Sequence, residues 1–152
     1  MNNSKIKSII VIIFGLLLTT GCEDSTGSET PESATISGTI TFVGDWPAEG
    51  DVAVSLSSAW PPAGAPAANS TITESGTYDY TFENVTFGTY AAIAVSWQDP
   101  DDTNPATNQH ILGAYGATAS DFNDATSITV SAEDHEQLNR DFDADLSLAA
   151  SN

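Results

Sequence analysis

The sequence predicts an all-β protein, built as a single antiparallel β-sandwich of about seven strands. Three observations carry that expectation. Short segments alternate apolar and polar residues with period two, clusters of Gly, Pro and Asn separate them, and beyond residue 22 no stretch holds a helical period, although SAEDHEQLN has room for one turn.

Taken in order, Ile36, Ile40 and Phe42 share one face of TISGTITFV, and Val52, Val54 and Leu56 share one face of DVAVSLS. Tyr78, Tyr80 and Phe82 do the same in GTYDYTFE, and Ile93, Val95 and Trp97 in GTYAAIAVSW. QHILGAY and TSITVS, with Ile128 and Val130, read as two further strands. The last runs through Phe142, Ala144, Leu146 and Leu148, with Asp141, Asp143 and Asp145 on the opposite face as a charged edge that deters strand addition. Residues 35–148 are thus long enough for one domain with one core, followed by a short tail at 149–152.

Ahead of this domain, Lys5 and Lys7 precede the apolar run IIVIIFGLLL, and Thr19, Thr20 and Gly21 follow it. A positive start, an apolar centre and a small-residue end form the layout of a secretory signal peptide, here 1–21. A transmembrane helix needs about 20 apolar residues, and the run is about half that. Residues 23–34 (EDSTGSETPESA) carry carboxylates, Ser, Thr, Gly and Pro and nothing large to bury, so the segment from 22 to 34 reads as a disordered linker. A chain of that length behaves as a flexible tether reaching roughly 20 Å.

The only cysteine of the chain, Cys22, stands where these two segments meet. Gly21-Cys22 resembles the lipobox of bacterial lipoproteins, in which the cysteine receives diacylglycerol and becomes the mature N-terminus. The usual leucine three residues earlier is Thr19 here, with Leu18 one place further back. The resemblance implies a lipid-anchored protein of the bacterial cell envelope. The outer membrane is the expected address, on its periplasmic or its outer side. Glu23 and Asp24 also resemble signals that send lipoproteins of some bacteria to the outer surface.

Charge excludes one class of partner. All 21 acidic residues follow Cys22 while Lys5 and Lys7 precede it, so a processed chain would keep Arg140 as its one strong cation and carry a net charge of −20. Nucleic-acid binding neutralises phosphates with several Lys or Arg, which this chain lacks. Anionic headgroups repel such a domain, so membrane attachment is expected through the lipid alone.

ISGTITF at the start of the domain and FENVTFGTY in its middle resemble the carboxypeptidase regulatory-like, prealbumin-like (transthyretin-like) domains. That family opens on a strand of the form SGxV and later carries a segment like F-x-N-V-P-x-G-x-Y. The resemblance implies a prealbumin-like sandwich and a non-catalytic module. Phe82 and Val85 would plug the core, Gly88 would permit a tight turn or close approach, and Tyr90 would pack inward. Thr86 replaces the family's proline, and Phe87 is bulky where the family is often polar.

The chemistry-bearing residues fit binding better than catalysis. HEQLN begins like the zinc-protease HExxH, but Asn139 stands where the second histidine would be, so the paired ligands of one helical face are missing. His110 would have to meet His135 and carboxylates in space to rebuild a site. No cofactor is expected. A calcium site at Asp99, Asp101, Asp102 and Asn104 competes with a solvated acidic turn, and the turn is preferred because the EF-hand glycine and terminal glutamate are absent. Trp46, Trp60 and Trp97 each flank a strand, and at one end of the sandwich they could stack on sugar rings; packing over the core is the competing role. The expectation is an interaction or scaffolding module for another envelope protein, with glycan capture through these tryptophans, assisted by calcium or not, as the alternative.

Overall fold

Alternation sets the fold because each period-two segment has one face to hide, and two sheets can hide their faces against each other. A computed structural model describes residues 29–73, 76–104, 107–118 and 121–150. The signal peptide, Cys22, the first part of the linker and the final two residues of the tail lie outside the described residues.

One sheet has β10 (Phe142–Asp145), β1 (Ala34–Val43) and β4 (Thr77–Val85) in that order, and the two-residue β9 (Glu136–Gln137) also pairs with β1. The second runs β3 (Ala68–Ile72), β2 (Asp51–Ser57), β6 (Ala92–Gln98) and β7 (Gln109–Ala114). A small third sheet pairs β5 (Gly88–Tyr90) with β8 (Ile128–Val130). Ile36 and Ile40 of β1, Val52, Val54 and Leu56 of β2, Tyr80 and Phe82 of β4, and Ile93 and Val95 of β6 join one buried cluster between the sheets. The expected sandwich is there, with the faces the alternation assigned. Its core reaches Ala34 and Ala149, one residue beyond the expected limits on each side.

Several details differ from expectation. Ten strands form among the described residues rather than about seven. GTYAAIAVSW splits at Ala91, whose amide donates to Ser57 O at 2.8 Å, so β5 leaves to pair with β8 while β6 stays beside β2. The sandwich is not wholly antiparallel: β9 and β10 both run parallel to β1. SAEDHEQLN forms no helical turn of its own, because Glu136 and Gln137 are drawn into pairing with Thr35 and Ile36. The last strand stops at Asp145, and Leu146–Ala150 coils into a 3-10 helix. Asp145 Oδ1 accepts from both Ser147 N (2.9 Å) and Ser147 Oγ (2.6 Å), a side-chain bond that offers the backbone an alternative to the ladder. Those same bonds, the hydroxyl's first, hold the Asp145 carboxyl below its ordinary range.

The motif residues have physical roles here. Phe82, Val85 and Tyr90 are buried, and Tyr90 Oη donates to Thr86 O at 2.7 Å, closing the turn that separates β4 from β5. Asn84 takes a left-handed φ of 56° where the β1–β4 register shifts. Asn and Gly tolerate that region best, which accounts for the asparagine of FENV. Nothing crowds Gly88, so the close approach expected there is not seen.

Close approach occurs instead at Gly38. Ile36, Gly38, Ile40 and Phe42 occupy alternate positions of β1, and the gap left by the glycine is filled by the backbone of Arg140. Asn139, at φ 57°, turns the chain so that Arg140 N donates to Ser37 O at 3.0 Å and Arg140 O accepts from Tyr80 Oη at 2.7 Å. Burial, with the Asp141 charge adding to it, pushes the Tyr80 phenol well above its ordinary value, so the hydroxyl stays a donor. Tyr80→Phe leaves that carbonyl unpaired and is expected to cost about 1–2 kcal/mol. Urea unfolding checks this, and an unchanged midpoint would mean the bond contributes nothing. The Arg140 guanidinium lies over the Tyr115 ring at 5.8 Å and donates to Tyr115 Oη and Gln137 Oε1. The one cation of the described chain is thus used inside the fold.

Candidate binding cleft

Antiparallel pairing of β2 with β6 sets Val52 opposite Trp97, so Trp97 sits at the end where β2 begins. Trp46 lies in the loop that leads into that same end. The two indoles line one open cleft of about 540 Å³, together with Pro47, Pro100 and the C-terminal Leu146 and Ala149. The 3-10 helix that replaces the end of the expected last strand therefore supplies part of the cleft wall.

Both rings are half-buried and held from behind. Trp46 meets Phe42 edge-on with ring centroids 5.5 Å apart. Trp97 Nε1 donates to Glu49 O at 2.8 Å, and its ring lies 5.4 Å from that of His110, its cross-strand partner. Gly50, at φ 84°, makes this fit, since a side chain there would collide with the Trp97 ring and the Gln98 carbonyl. Asp45 and Glu49 on one loop and Asp99 and Asp101 on another bring carboxylates to the same cleft.

Trp60 does not join them. It follows β2, whereas Trp46 precedes it, and a strand of this length separates the two by roughly 20 Å. Its Nε1 donates to Phe122 O at 2.7 Å and pins the 3-10 turn Phe122–Asp124. The order of the tryptophans about one strand was a signal in the sequence that they could not all meet.

The acidic loop uses the carboxylates of Asp99 and Asp102 on itself. Asp99 Oδ1 accepts Asp101 N at 2.9 Å, and Asp102 accepts Asn104 N at 2.8 Å and Thr107 Oγ1 at 2.6 Å. The Thr107 hydroxyl and then the Asn104 amide hold the Asp102 carboxyl below its usual range. Among the described residues no three or more His, Cys, Asp or Glu converge as a metal-binding set.

The histidines lie apart. His110 packs on Trp97 at the cleft, whereas His135 O accepts from Thr35 N near the start of β1. Thr35 and Phe42, the residue under Trp46, are about 23 Å apart along that strand at ~3.3 Å per residue. Asp141 and Asp143 are exposed and Asp145 half so, but the row is not a plain charged edge, since Asp141 Oδ1 caps Thr39 N at 2.8 Å in the gap between β9 and β10. No helix among the described residues is long and apolar enough to cross a membrane. No family model, curated protein or solved structure matches the chain.

Proposed function

We propose that this protein is a bacterial envelope lipoprotein, tethered through Cys22 and residues 23–33, whose β-sandwich works by binding another envelope protein and not by catalysis. The observation that carries the binding role is the convergence of Trp46 and Trp97, from different parts of the chain, on one open cleft. Half-exposed indoles held from behind are the kind of rigid apolar anchor that interfaces use. The signal-peptide layout and the Gly21-Cys22 pair support the anchor, and the SGTI and FENVTFGTY segments support a carboxypeptidase regulatory-like, prealbumin-like relationship.

The test is a photo-crosslinking amino acid placed at Ala48, an exposed cleft residue, in growing cells, with Thr89 on the small third sheet as control. A discrete adduct from Ala48 that is absent from Thr89 and lost with Trp46→Ala is expected. Equal adducts at both positions, or none at Ala48, would remove the role assigned to the cleft.

A second reading keeps the cleft and changes the ligand. Indole faces stack on sugar rings and carboxylates bond hydroxyls, so a glycan could use Trp46 and Trp97, without Trp60.

A further inference from the structure

We propose that the cleft accepts a basic segment of a partner protein, seating a lysine or arginine side chain against the Trp46 and Trp97 indoles with its charge among Asp45, Glu49 and Asp101. The inference rests on the reading of this cleft as the binding site and adds the chemistry of its occupant.

Charge complementarity decides in favour of a cation. Four carboxylates, those of Asp45, Glu49, Asp99 and Asp101, line a cleft that also holds two indoles. Asp99 is engaged with the Asp101 amide, while Asp45, Glu49 and Asp101 are exposed. The single Lys or Arg of the described chain, Arg140, is occupied by Tyr115 and Gln137, so among the described residues no lysine or arginine neutralises the rim, and the nearby His110 bears electrostatically on Asp102. A neutral sugar would leave that charge uncompensated.

An ammonium or guanidinium, by contrast, is attracted both to the carboxylates and to the negative face of an indole. Lysine and arginine also carry a long apolar stem that packs along apolar surface while the head stays with charge. Pro47 and Pro100 offer that surface in the same lining, to which the buried Leu146 and Ala149 add little exposed area. The carboxylates come from two separate loops around a space of about 540 Å³, more than one alkylamine fills. A side chain with its flanking backbone suits this span.

The probe is a lysine-serine hexapeptide titrated calorimetrically into the full-length chain in non-ionic detergent. A glutamate-serine hexapeptide, a neutral hexasaccharide and spermidine are run alongside. Saturable binding of the basic peptide that weakens with added salt is expected. Asp45→Asn, Glu49→Gln and Asp101→Asn together should weaken it at least about 10-fold. An equal loss of charge away from the cleft, Glu83→Gln, Asp124→Asn and Glu136→Gln together, should change it less than about 3-fold, because exposed charges more than a Debye length away are screened.

Equal losses from the two triple variants would reduce the effect to diffuse attraction by a polyanion and overturn the proposal. Spermidine binding as tightly as the peptide would overturn the protein-segment assignment. Binding of the hexasaccharide alone would overturn the inference and leave the cleft as the site. Silence from every probe also overturns it, and the Ala48 adduct then decides separately whether the cleft binds anything.

Discussion

Gly38→Val should cost the domain about 3 kcal/mol or more, a large part of the ~5–15 kcal/mol that holds a domain of this size together. A Cβ built at Gly38 would stand 2.5 Å from Arg140 C and 2.9 Å from Arg140 N. Both are backbone atoms, so no rotamer change relieves the overlap. The crossover carrying Asn139 and Arg140 would have to lift away from β1. Its departure breaks the bond from Arg140 N to Ser37 O and the one from Tyr80 Oη to Arg140 O, and draws the guanidinium off Tyr115.

Overpacking alone typically costs about 1–3 kcal/mol. A buried polar group left without its partner costs a further ~1–3 kcal/mol. Urea unfolding followed by circular dichroism measures the sum. Thr41→Val, at an exposed position of the same strand, is the control for introducing valine into β1. If the two variants unfold at the same urea concentration, the close approach of Arg140 is not a constraint on the fold.

The same crossover marks the limit of what the sequence could reveal. Alternation reports whether a strand has one buried face, and for β1, β2 and β4 each strand's apolar set is large enough to be unambiguous. In β3 the inward row is Ala68, Ser70 and Ile72, with only one large side chain, so the period carried little signal. β9 has two residues and exists because β1 offers it a parallel edge, a contact made across about a hundred positions of chain. Nothing local encodes such a pairing.

The end of the last strand was legible in hindsight from the D-x-S spacing of Asp145 and Ser147. Apolar alternation continues through Leu148, and it masked the competing side-chain bond. The cleft depended on three things that periodicity does not carry: the antiparallel register of β2 with β6, a glycine at φ 84° beside an indole, and the coiled C-terminal turn. Trp46 and Trp97 were visible as candidates, but their meeting place was not.

The proposed anchor has the largest expected effect on where the protein resides. Under that proposal Cys22→Ser moves the protein from the membrane fraction to the soluble one, because the acylated thiol is the only attachment the reading supplies. Acyl chains gain about 0.8 kcal/mol per buried methylene, and one chain gives marginal binding while two or more hold firmly. Removing all of them leaves an acidic domain that anionic headgroups repel, with Arg140 turned inward on Tyr115. A leader that stays uncleaved could keep some of the variant at the membrane through its apolar run at 9–18, so fractionation is paired with a chemical readout. Mass analysis of the N-terminal peptide of the native protein should find the acyl mass on Cys22, and labelled fatty acid should enter the native chain and not the serine variant. Unmodified Cys22 in membrane-derived protein, or equal labelling of both chains, would end the proposal and leave the position of the only cysteine without an explanation.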